Sequence, residues 1–207
     1  GLQEFCSNVR LEGCLPTKIA LSFYDKVEST FILGLIGSFH MKYKGHFEAL
    51  LALKHLKENH NLNNITLKLV GTGNPDWVRQ LAEDLGVIEL VEIVGALNAG
   101  EAGILPFIDT IDLYIHPSKT EGLPRVIIEA MSRGKICLGS NVGGTSELIG
   151  NEFLHEAGDH LRLAEQILAI YNSSCERKKE IASQNVNTAS LYLETVLIYN
   201  PVWCYPC

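Results

Sequence analysis

The chain has 207 residues, of which 46% are hydrophobic, 20% charged and 8% aromatic, a composition that fits a globular chain able to bury a substantial core. Asp plus Glu number 24 against 17 Lys plus Arg, for a net charge of -7. That balance excludes a broad nucleic-acid or anionic-membrane surface, so any bound phosphate must be held by a local basic spot.

No apolar run approaches the roughly 18 residues that a membrane helix needs. The opening GLQEFCSNVR carries no Met and no charged-then-apolar leader, which predicts an excised fragment, a processed chain or a tag remnant. Six cysteines are scattered without a disulfide rhythm, and this favours a reducing, cytoplasmic setting. The final WCYPC resembles a redox motif superficially. Such a motif needs a strand before it and a helix after it to depress the first thiol's pKa, and here no helix follows in the sequence, so it is read as incidental.

From Phe31 onward, strand-like and helix-like segments alternate. FILGLIG reads as a buried strand, followed by a basic loop and a helical stripe of Phe47, Leu50, Leu53 and Leu56. ITLKLVG is the second strand and ends in GTGN. The next helix carries its own punctuation. Asn74 can cap it, Pro75 suits its first position, Val78, Leu81, Ala82 and Leu85 share a face, and Gly86 stops it. LVEIVG, DLYIHPS and KICLGS are the third, fourth and fifth strands, and EFLHE is a shorter sixth. A helix from about Pro124 to Arg133 lies between the fourth and fifth. Leu161, Ala164, Leu168 and Tyr171 mark another, and Val186, Ala189, Leu193 and Val196 a last one.

Short apolar strands alternating with helices imply right-handed crossovers and an α/β Rossmann-like parallel sheet of about six strands with helices on both faces. In such a sheet the ligand sits outside the carboxyl ends of the strands, so GSFHMKYKG, GTGN, GALNAG, HPSKTEGLP and GSNVGGTSE should share one rim.

On that rim His40, Lys42, Lys44 and His46 concentrate positive charge in an acidic chain, and Lys44-Gly45 opens a helix whose free amides favour an anion. A solvated basic loop is the plain alternative. The GTG at Gly71 to Gly73 lacks the third glycine of a dinucleotide fingerprint and reads as a tight turn that lets a ligand approach the backbone. Glu121 and Glu129, eight positions apart in EGLPRVIIE, cannot be ligands of a diphosphate. A carboxylate accepts paired hydrogen bonds and suits a vicinal diol. Gly122 permits close backbone approach, and Pro124 opens a helix whose first amides, at Arg125 and Val126, are unpaired donors. In isolation the two glutamates would be a helix-flanking cap and a routine polar side chain.

The ordered set IGSFHMKYKG, LKLVGTGN, VEIVGAL, IDLYIHPSKTEGLPRVIIEAMSRGK and GSNVGGTSEL, spanning about Ile32 to Tyr171, resembles the C-terminal, donor-binding domain of a group 1 retaining glycosyltransferase of the GT-B fold. The resemblance implies that Lys44 faces the donor diphosphate, Glu129 binds the ribose diol and Glu121 lies near the transferred sugar. It places the Gly122, Leu123, Arg125 and Val126 backbone on sugar and phosphate, and the Leu97 backbone at the nucleobase. It further implies Lys44 and Glu121 as the catalytic pair, departure of the nucleoside diphosphate with charge stabilised by Lys44 and helix amides, and no metal or other cofactor.

Two departures stand out. Ser38 occupies the position where many members carry Arg, and Leu123-Pro124 replaces the usual aromatic-Gly pair and removes an amide donor, for which Arg125 can compensate. Residues 1–30 are read as linker or remnant of an absent N-terminal domain, 31–173 as the nucleotide-sugar unit, and 174–207 as a crossing helix and tail.

The implied partners are a UDP-, GDP- or ADP-linked sugar and, through the missing domain, an acceptor glycan or lipid-linked sugar, with no nucleic acid. The full-length protein is expected in the cytoplasm or peripheral at the inner membrane face. The isolated chain is expected to bind nucleotide weakly and transfer nothing. A GT-B nucleotide-sugar epimerase and a nucleotide-binding module without catalysis are the alternatives, and a glycoside hydrolase is disfavoured because it needs no basic anion loop.

Overall fold

The structure is a computed structural model and describes residues 14–15, 17–25 and 30–198. The WCYPC end therefore lies outside the described residues, as do Cys6 and the Leu193 and Val196 side chains. Cys14, Cys137 and Cys175 are unpaired thiols.

Six strands form one parallel sheet: β1 (Phe31–Ile36), β2 (Ile65–Val70), β3 (Val91–Gly95), β4 (Leu113–His116), β5 (Ile136–Ser140) and β6 (Leu154–His155). Their order is β3-β2-β1-β4-β5-β6. Eight α-helices are described: α1 (Thr17–Ser22), α2 (His46–His60), α3 (Asp76–Asp84), α4 (Ile104–Asp109), α5 (Arg125–Ser132), α6 (Thr145–Leu148), α7 (His160–Tyr171) and α8 (Cys175–Ile198). None is long and apolar enough to cross a membrane.

The expected doubly wound architecture is present. The central strands β4 and β5 are buried along their whole length, as strands covered on both faces must be. The edge strand β3 instead alternates half-buried and exposed. Side chains of β4 point alternately to the two faces. Leu113 and Ile115 join a core with Leu50, Leu53 and Leu56 of α2 and Leu163 and Ile167 of α7. Tyr114 enters a second core with Ile127, Ile128 and Met131 of α5 and Ala189 of α8. Each fully buried leucine or isoleucine contributes about 1.5–3 kcal/mol.

Several local expectations shift. Phe47 is 43% exposed and Leu161 48% exposed, so neither lies on the buried stripe assigned to its helix. The face of α7 that meets α2 is Leu163, Ala164, Ile167 and Ile170. Pro75 stands just before α3 rather than within it, while Asn74 Oδ1 accepts the Asp76 amide at 2.9 Å and satisfies a first-turn donor. EFLHE contributes only Leu154–His155 as strand, Asn151–Phe153 being a 3₁₀ turn. Helices α1, α4 and α6 add to the expected set. Of these, α4 tolerates Pro106 because the proline sits in the first turn, where its missing N–H has no intrahelical acceptor. Helix α8 packs against α5, β5 and α1.

Candidate functional site at the strand carboxyl ends

The strand order reverses between β1 and β4, and a crevice between their outgoing loops is where such sheets take ligands. The loop after β1 follows the loop after β2: Gly37 N–H donates to Val70 O at 2.8 Å and Phe39 N–H to Thr72 O at 2.8 Å. A 3₁₀ turn at Lys42–Lys44 then leads through Gly45 into α2. Gly45 has a φ of 83°, and a Cβ there would lie 2.1 Å from Pro117 O. Only glycine lets the β1 and β4 loops close on each other at this point. Lys119 N–H donates to Tyr43 O at 2.8 Å and the Lys119 ammonium meets Glu48 Oε1 at 2.8 Å, so the two loops are tied along their length.

This closure brings Lys44 and Glu121 together across 77 positions of sequence, with Lys44 Nζ 2.7 Å from Glu121 Oε1. The same oxygen is 2.8 Å from His116 Nε2. Behind it, the Tyr114 hydroxyl lies 3.1 Å from His116 Nδ1, and the Ser118 hydroxyl 3.4 Å from His116 Nε2. Glu121 is 10% exposed and Lys44 21%. Burial pushes the Glu121 carboxyl up, but hydrogen bonds from His116, Lys44 and Ser118 outweigh it and hold it at about 2. It is an ionised acceptor at any physiological pH.

Glu129 behaves in the opposite sense. It sits in the second turn of α5, half-buried; burial pushes its carboxyl up, and Arg125 one turn earlier only partly pulls it back. Between the glutamates, Gly122 O accepts the Gly144 amide at 2.7 Å, which docks the β5 loop onto this segment. A Cβ on Gly122 would meet nothing within 4 Å, and its φ is not positive. The protein's own packing therefore gives no reason for glycine at this position. Arg125 is exposed at the start of α5, and Leu123 and Val126 are half-buried against the second core.

Other expected site residues are placed differently. Ser38 is occupied within the loops, its hydroxyl donating to Thr72 O at 3.2 Å and accepting from Thr72 Oγ1 at 3.2 Å. Leu97 follows β3, two strands from β1, and packs on the second core. His46 does not add to the basic loop. It is fully buried between the rings of Phe39 and Trp77, neither ring nitrogen makes a well-formed hydrogen bond, and burial, only partly offset by the Gly37 backbone, lowers its pKa to about 4. It is a neutral core residue. Lys42 turns toward the Trp77 ring, 5.7 Å from its centre. Gly71 serves packing between loops, since a Cβ there would lie 1.9 Å from Gly37 O. Sequence reasoning missed His116, Ser118 and Tyr114. The available signal was a His at the carboxyl end of a buried strand, five positions before Glu121.

The fold and site define a parallel-sheet α/β domain with a cation, a carboxylate and a helix N-terminus at its switch point, a class in which ligands sit at the strand carboxyl ends. The comparisons with known proteins narrow that class. A family model described as glycosyl transferases group 1 matches residues 30–173, and the chain belongs to that family. It is 32% identical over 167 residues to Protein CapJ of Staphylococcus aureus, covering 80% of this chain and 42% of that protein. It is 26% identical over 176 residues to the capsular polysaccharide biosynthesis glycosyltransferase CapH of the same organism, covering 83% and 47%. The crystal structure of Anabaena HepE in complex with UDP and glucose superposes with a TM-score of 0.72 at 26% identity, over 82% of this chain and 46% of that one. The chain thus spans about half the length of the relatives it matches.

Proposed function

We propose that this chain is the donor-binding half of a retaining glycosyltransferase that moves a sugar from a nucleoside diphosphate to an acceptor hydroxyl. The observation that carries the reading is the convergence at the β1/β4 switch point of Lys44, Glu121 and the start of α5 around an unfilled Gly122. Lys44, Arg125 and the first amides of α5 meet the diphosphate and stabilise the charge that grows on it as the sugar leaves. Glu121, ionised and already held by Lys44 and His116, faces hydroxyls of the transferred sugar. Glu129 accepts from the ribose diol, and the backbone at Leu97 meets the base. Arrival of the diphosphate draws Lys44 partly away from Glu121.

The charge chemistry assigned here needs no metal. UDP is the first donor nucleotide to test, because a similar solved structure holds UDP and glucose, with GDP and ADP alongside it. Residues 31–173 form the nucleotide-sugar unit, a reading supported by the extent of the family match. A second domain supplies the acceptor, a glycan or lipid-linked sugar in polysaccharide assembly at the cytoplasmic face. Titration of UDP, GDP and ADP into the chain should give saturable binding of one of them, and Glu129→Ala should weaken it about tenfold. Unchanged affinity in Glu129→Ala would make that glutamate structural and remove it from the donor site.

A further inference from the structure

We infer that His116, locked in one tautomer by Tyr114, is a positioning residue that aims Glu121 at the sugar. The inference rests on the donor-site reading above and deepens it. With His116 neutral, the three groups allow one hydrogen-bond arrangement. Glu121 is ionised and can only accept, so at 2.8 Å the proton between it and His116 resides on Nε2. In a neutral ring the other nitrogen, Nδ1, must then accept, and the Tyr114 hydroxyl 3.1 Å away is the donor. Tyr114 and His116 stand two positions apart on a strand, on one face, and both are buried. The ring planes are stacked with centroids 6.0 Å apart, so neither ring can swing without disturbing the other.

The consequence falls on Glu121. Its Oε1 is held from the rigid strand side by His116 and from the loop side by Lys44. When a diphosphate competes for Lys44, His116 remains as the fixed donor. The carboxylate keeps both its orientation and spare acceptor capacity, since a carboxylate offers about four lone-pair sites. Without His116, capture of Lys44 by phosphate would leave Glu121 held by the Ser118 hydroxyl alone, from a loop and not from the strand. A side chain placed through hydrogen bonds on a strand is a more exact aiming device than one placed by a loop.

Two measurements test this. The first is imidazole ¹⁵N NMR of the 207-residue chain, with His116 assigned by loss of its signals in His116→Gln. It should show a single tautomer with the proton on Nε2, and Tyr114→Phe should yield a tautomer mixture. An Nδ1–H ring, a doubly protonated ring, or a spectrum indifferent to Tyr114→Phe overturns the assignment. The second compares affinities for UDP and UDP-glucose, or for the GDP and ADP pairs if those bind. His116→Ala should reduce nucleotide-sugar affinity about tenfold while changing that for the bare nucleotide less than about twofold, and His116→Gln, which keeps an N–H near the Nε2 position, should recover most of the loss. Equal weakening of both ligands, or no recovery in His116→Gln, would make His116 merely structural. The tautomer is read without nucleotide, so a chain that binds no nucleotide would sink the functional reading while NMR still decides for or against the locked ring.

Discussion

At the amino-terminal end of the sheet, polar groups are consumed by the fold. The Tyr24 hydroxyl donates to Gly134 O at 3.0 Å and accepts from the Ile136 amide at 3.2 Å. Lys135, 1% exposed, donates to Asp109 O at 3.1 Å and lies over the Phe23 ring, and Asn185 donates to Lys135 O at 2.8 Å. Arg133 forks onto Asp109, and Asp112 accepts the Ile32 amide at 2.7 Å. At the carboxyl-terminal end, Lys44, Glu121 and Glu129 remain partly exposed, Gly122 faces open space, and two glutamates of one short segment are pushed in opposite directions. Groups that bind segments of the fold together need no ligand, whereas groups with unused capacity around an unfilled space imply one.

The largest expected effect lies on the carboxyl-end side and is one of stability. Folding holds His46 neutral with a pKa near 4 instead of 6.5. The unfolded chain therefore binds more protons between those values, and stability falls as pH drops from about 6.5 to 4, by about 3 kcal/mol. The His155 pKa is lowered too, mainly by burial, and acts in the same direction. Glu121, held at about 2, keeps its contribution above pH 4.5 and loses it only as pH falls toward 2. Urea unfolding at pH 7 and pH 4.5 should show the loss, and His46→Phe should shrink it; an unchanged pH slope in that variant would move the titrating group elsewhere.

Next in size, Lys44→Ala should cost about 2–3 kcal/mol of nucleoside-diphosphate affinity, as expected for a charge-assisted contact to phosphate. Calorimetric titration reads this directly, and retention of full affinity would break the assignment of the β1 loop to the diphosphate. Tyr24→Phe is the mirror experiment at the other end of the sheet. It should cost about 1–2 kcal/mol of stability by orphaning Gly134 O and the Ile136 amide, and leave nucleotide affinity untouched. A drop in affinity there would erase the contrast between the two ends. The smallest effect is expected of Gly122→Ala. Its Cβ meets no protein atom, so the urea midpoint should stay put while nucleotide-sugar affinity falls about fivefold, roughly 1 kcal/mol.

Much of this was legible in the sequence, for reasons that differ from element to element. Strands β1, β2, β4 and β5 are readable because each is a mostly apolar run bounded by glycine or polar loops, and the five loops at the carboxyl ends of β1 to β5 follow from the alternation. Helix faces were less legible. Both Leu161-Ala164-Leu168-Tyr171 and Leu163-Ala164-Ile167-Ile170 have helical spacing, and only the position of α2 decides which is buried. Helix α4 was hidden by its shortness and by Pro106. At the site, Lys44 and Glu121 were singled out separately, yet their contact depends on β1 and β4 being neighbours, which periodicity does not reveal. His46 looked basic because sequence counts charge without burial. His116 lay inside the segment singled out and still gained no role, since that role requires Tyr114 behind it and Glu121 folded back over it.

On the proposed function, the donor nucleotide occupies the crevice at the carboxyl ends of β1 and β4. Amide chemical-shift mapping of the chain during titration with UDP, GDP or ADP tests it most directly. The Lys44, Gly45, Gly122, Arg125 and Val126 amides should move with one common saturation curve while the Gly134 and Ile136 amides stay fixed. Shifts centred on Gly134 and Ile136, with Gly122 and Arg125 unmoved, would contradict it.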